Sequence, residues 1–146
     1  MSKRYEHTQV GHMILWPAGA GTLWLLIIGI FLPPRWPSLV GAAVLGLITA
    51  LFASLHVEVD SEALRLSFGI GWIHKTISLA DVESCRAVRN PWYAGWGIRW
   101  IVGGWLYNVS GLDAVELQMK NGRRYRVGTD EPQALLEAVR RSLEEP

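Results

Sequence analysis

Two uncharged apolar runs fill most of the first fifty-five residues. From Met13 to Pro34, and again from Trp36 to Leu55, no side chain ionises, and Arg35 in a proline-rich turn is the only charge between them. Each run approaches the roughly 20 residues with which an α-helix crosses about 30 Å of hydrocarbon. Two such helices joined by so short a turn must be antiparallel, which leaves residues 1–12 and everything after His56 on one side. The expected organisation is a tail over 1–12, two transmembrane helices within 13–56 (about 13–33 and 37–56), and a domain over 57–146 outside lipid. A cleaved signal peptide fits less well, because its apolar part usually spans roughly 7–15 residues and is not followed at once by a second apolar run.

Flanking charge sets the expected orientation. Lys3 and Arg4 precede the first run, whereas the turn holds only Arg35. Positive charge resists translocation, so a multi-pass protein of the inner (cytoplasmic) membrane with both termini cytoplasmic is expected. Neither run holds an acid or a base, so no proton relay or ion site is expected within them. Small residues give each helix a smooth patch, Gly19 and Gly21 in the first and Gly41, Ala42 and Gly46 in the second. In lipid, such patches let helices pack closely.

The remainder, 57–146, carries eleven Lys/Arg against twelve Asp/Glu. A nucleic-acid binder shows a basic excess, so that class is set aside. Cys85 is the only cysteine, which precludes a disulfide within the chain and reads as a small buried hydrophobe. His7, His12, His56 and His74 lack metal-ligand spacing. Gly69-Ile70-Gly71 lacks the third glycine of a dinucleotide fingerprint, and no Walker loop, nucleophile elbow or zinc motif occurs. No catalytic residue, metal or cofactor is expected.

After His56 the apolar period becomes two. Val57 and Val59, then Leu64, Leu66 and Phe68, then 72–77 read as three strands with hairpin turns. Residues 78–81 read as a helical turn and 82–89 as a fourth strand. Trp105, Tyr107 and Val109 form one apolar face, and Val115, Leu117 and Met119 another. Asn121-Gly122, a strong two-residue hairpin signal, leads into 123–127. An amphipathic helix over about 131–144 ends the chain, with Leu135, Val139 and Leu143 on one face. The fold class is α+β, with a helical hairpin followed by a seven-strand antiparallel barrel or sandwich and a C-terminal helix.

In this layout the chain resembles small bacterial membrane proteins that carry a two-helix hairpin ahead of a pleckstrin-homology-like (PH-like) domain. The residues carrying the resemblance are 57–77, Ser78-Leu79-Ala80-Asp81-Val82, Gly95-Trp96-Gly97-Ile98-Arg99, Gly122, and Gly128-Thr129-Asp130-Glu131-Pro132. It implies a fold rather than a chemistry. The first hairpin turn, Asp60-Ser61-Glu62, lacks the basic residues of phosphoinositide-binding PH domains, so that recognition is not carried over.

The stretch 90–112 is the most unusual. It holds Trp92, Tyr93, Trp96, Trp100, Trp105 and Tyr107 with a single charge, Arg99. So many rings cannot all be core in a small domain. The readings are a hairpin whose aromatics mostly pack in the barrel, a lipid interface, a protein-docking surface, or a further transmembrane span, which Arg99 at mid-segment disfavours. Arg124 and Arg126 share a strand face and suit anionic headgroups or an acidic partner. The expected function is a non-enzymatic, membrane-anchored binding or scaffold module that uses these residues toward membrane lipids or a protein partner. The alternative is an accessory subunit of a larger membrane enzyme or transporter, docking through its helical hairpin.

Overall fold

The computed structural model describes residues 4–144; Lys3, used above for orientation, and the other terminal residues lie outside them. The apolar runs fold as α1 (His12–Phe31) and α2 (Trp36–Phe52), packed side by side. α1 is apolar all round, with Leu23, Trp24, Ile30 and Phe31 exposed. Its 20 residues make it long and apolar enough to cross a membrane. α2 has 17 residues and is the shorter of the two. The expected second span, about 37–56, therefore ends early. Its last residues belong to β2 (Ser54–Val59), because Leu55 is drawn into the sheet core and fully buried there.

Directly before α1 lies β1 (Tyr5–Val10), within the segment expected to be a tail. It pairs antiparallel with β2 from Tyr5↔Val59 to Val10↔Ser54. The helical pair is thus an insertion into a β-hairpin, and Gly11 N–H donates to Ala53 O (2.7 Å) where its two ends meet. β3 (Ala63–Phe68) and β4 (Ile73–Ser78) complete an antiparallel sheet of order β1-β2-β3-β4.

A 3-10 turn, Leu79–Asp81, leads into β5 (Val82–Arg89) of the second sheet. Its other strands are β6 (Gly97–Ile101), β7 (Gly104–Asn108), β8 (Asp113–Met119) and β9 (Arg124–Gly128), in the order β5-β8-β9-β7-β6. The described residues thus hold nine strands where seven were expected. The second sheet is mixed rather than wholly antiparallel, since β7 runs parallel to β9. The two extra strands, β1 and β6, carry little apolar alternation. The half-buried face of β1 presents Tyr5, His7 and Gln9, and β6 is interrupted by Arg99.

The core lies between the sheets. Leu55, Val57, Leu64, Leu66 and Phe68 from one meet Tyr107, Val115, Leu117 and Val127 from the other. Fully burying such a side chain stabilises by about 1.5–3 kcal/mol. α3 (Pro132–Glu144) packs on β5 and β8 with Leu135, Leu136 and Val139 inward. Two glycines allow close approaches. A Cβ on Gly69 (φ +48°) would lie 2.1 Å from Ala50 O at the end of α2, and one on Gly104 would lie 1.6 Å from Arg124 O across the parallel pair.

Candidate functional site: an aromatic rim and an arginine face

The end of the sheets that receives α1 and α2 is marked by several contacts. The turn after β3 abuts Ala50 and Leu51, a Cβ on Gly11 would touch Val109, and Gly97 lies beside Phe52. Gln9 Nε2 donates to Ser110 O (3.1 Å). Around this end large apolar side chains face outward. Ile70 and Trp72 lie within the β3–β4 turn, at 56% and 71% exposure. Trp92 and Tyr93, in the 3-10 turn Trp92–Ala94, are 77% and 75% exposed and meet edge to face at 6.0 Å. Sequence reasoning singled out Trp92 and Tyr93 but missed Ile70 and Trp72. The available signal was two bulky apolar residues at a glycine turn, where polar residues usually sit.

The aromatic residues of 90–112 do not form one surface. Trp96 is half-buried and its Nε1–H donates to Gly111 O (3.2 Å). Tyr107 is buried, stacked on Tyr125 and tilted against Phe68. Trp100 and Trp105 pair edge to face at 5.2 Å near the tip of the β6–β7 hairpin. Ile101, the last residue of β6, is roughly 13 Å along the strand from Gly97, at 3.3 Å per residue. In register, Trp100 and Trp105 continue the core-side row Cys85, Leu117, Tyr125 out to the edge strand. Of the six aromatics, Trp92 and Tyr93 are the exposed pair that lies outside the strands, and Tyr93 lines a cleft with Trp100.

The next row of the second sheet carries charge. Arg86, Glu116, Arg126, Leu106 and Arg99 stand side by side across β5, β8, β9, β7 and β6, on the face away from the core. Glu116 is 3% exposed and clasped from both sides. Arg86 Nη2–H and Arg126 Nε–H donate to its two carboxylate oxygens at 2.6 and 2.7 Å. Burial alone would raise its pKa. The hydrogen bonds and charges of Arg126 and Arg86 outweigh that and hold it below the ordinary value. Arg126 Nη1–H also donates to Asn90 Oδ1 (3.1 Å). Arg124 donates through Nε to Gln118 Oε1 (3.1 Å), and Arg99 through Nε to Trp96 O (3.1 Å). A cleft of about 530 Å³ opens beside this face, lined by Arg99, Arg124, Arg126, Tyr93 and Trp100 among others.

The small residues of the helices divide in the same way. A Cβ on Gly21 would touch Leu45 and one on Gly41 would touch Leu25, so these serve the contact between α1 and α2, where Ala42 is buried. Gly19 and Gly46 have open space beside them. Among the described residues no group of three His, Cys, Asp or Glu is placed to hold a metal ion.

These features define an α+β protein with N-terminal helices, two sheets sharing one core and a C-terminal helix. No protein-family model and no curated protein matches the chain.

Proposed function

We propose that this protein is a membrane-anchored, non-enzymatic binding module of the PH-like kind, seated against lipid headgroups by the rim Ile70, Trp72, Trp92 and Tyr93. In this reading both helices of the hairpin enter the cytoplasmic membrane, and the chain ends and the sheets lie on the cytoplasmic side. The observation that carries it is the strand pairing Val10↔Ser54, which joins the two helix ends at the end of the sheets where the turn bearing exposed Ile70 and Trp72 abuts Ala50 and Leu51. Tryptophan and tyrosine rings favour the headgroup layer. At 17 residues, about 25 Å, α2 suits a span that leans on α1 and uses Trp36 as an interface anchor.

The test is tryptophan quenching in vesicles containing phospholipid brominated near the headgroup. Trp72→Phe and Trp92→Phe are each expected to reduce the quenchable share of emission. Quenching unchanged in both would remove the rim from the lipid interface.

A second reading, an accessory subunit that docks through its helices, is favoured by the open faces at Gly19 and Gly46. Gly19→Leu and Gly46→Leu would then abolish co-purification of a membrane partner while leaving the quenching pattern intact.

A further inference from the structure

We propose that the cleft between the 91–94 segment and the outer face of β6 and β9 binds a phosphate-bearing anion, gripped by Arg99, Arg124 and Arg126. This rests on the proposed function and names the chemistry its surface recognises. Three guanidinium groups line the cleft and no carboxylate does. The one acid of that face, Glu116, is already claimed by Arg86 and Arg126. Among the described residues, neither Arg99 nor Arg124 has an ion-pair partner. Each spends its Nε on a neutral oxygen, which leaves the paired Nη groups for a ligand. A planar guanidinium presents parallel N–H donors that match two oxygens of a phosphate.

A second observation comes from Asn90. It is buried to 3% exposure between Leu112, to whose carbonyl its backbone N–H donates, and Arg126, and it immediately precedes Pro91 of the cleft wall. Its Oδ1 accepts from Arg126, yet its Nδ2 meets no acceptor among the described residues. Asn90 does not itself line the cleft; its side chain holds Arg126, which does, in place. The ring of Tyr93 and the β6–β7 tip wall the remaining space, which has room for the group esterified to the phosphate.

A free phosphate ester and a lipid headgroup share this chemistry, and two arms separate them. Full-length protein in neutral-lipid nanodiscs is titrated calorimetrically with inorganic phosphate and with glycerol 3-phosphate. In parallel, phosphatidylglycerol retained from mixed nanodiscs is counted by native mass spectrometry. Arg99→Gln and Arg124→Gln, both at exposed positions, are expected to weaken binding about tenfold or more in whichever arm the wild type binds. Arg123→Gln, a neighbouring charge outside the cleft, is expected to change neither. Loss in the first arm assigns a soluble ester; loss in the second alone assigns a headgroup. The proposal is overturned if wild type binds in neither arm, if both cleft variants bind like wild type, or if Arg123→Gln is equally impaired. The brominated-lipid quenching of Trp72 and Trp92 is read independently, so failure of the rim and failure of the cleft are distinguishable.

Discussion

The 3-10 turn holding Trp92 and Tyr93 and the hairpin tip holding Trp100 and Trp105 come from one short stretch and each carry two aromatic residues, yet they owe their exposure to different causes. Trp92 and Tyr93 lie off the sheets, on a 3-10 turn, and no strand register directs them inward. Trp100 and Trp105 sit on the core side of their sheet, on the edge strand β6 and on β7 beside it. The first pair lies outside any strand; the second is the outer end of a core-side row. Exposure of an aromatic residue is therefore informative only once its place in the sheet is known.

The largest expected effect concerns the residue that joins α2 to the second sheet. Phe68 packs edge to face on Phe52 of α2 (5.6 Å) and tilted on Tyr107 of the second sheet (6.2 Å). Phe68→Ala is expected to cost about 3–5 kcal/mol in chemical denaturation of the full chain. A loss below 1 kcal/mol, on the order of a surface change, would mean that the helix side and the sheets are not coupled through this ring.

Glu116 tests the face between the two regions. Glu116→Gln leaves two guanidinium groups around a neutral amide and is expected to cost about 1–3 kcal/mol at neutral pH. The wild-type carboxyl is held below its ordinary value of 4.5, so its contribution is complete above that pH and is lost as pH falls through the depressed value. The stability profile of Glu116→Gln should therefore be flatter on the acid limb than that of wild type. Parallel profiles would contradict the clasp.

The comparison itself is sharpened by Trp100→Phe in brominated-lipid vesicles. It should leave the quenchable share of emission nearly as in wild type, where Trp92→Phe reduces it. Equal reductions would collapse the two regions into one lipid-facing surface.

The smallest effect belongs to α3, away from both. Glu137 and Arg141 form an i,i+4 pair at 3.4 Å with both side chains about two-thirds exposed. Glu137→Gln should change stability by no more than about 0.5 kcal/mol and leave quenching untouched.

By themselves the residues determined the helical pair, the change of period after His56, the Asn121-Gly122 turn and the amphipathic C-terminal helix, because each is a local pattern of polarity or turn chemistry. They also determined that Arg124 and Arg126 share a face opposite Tyr125 and Val127, since strand alternation needs no partner. What only the tertiary structure decided depends on partners far apart in the chain. β1 exists because Tyr5–Val10 finds β2 across the helices, and α2 ends at Phe52 because Leu55 gains more from the sheet core than from the apolar run. Arg99 reaches the same cleft as Arg126, two strands away, through the parallel pairing of β7 with β9. Long-range pairing gives no periodic signal along the sequence, so the site became visible only when distant strands were set side by side.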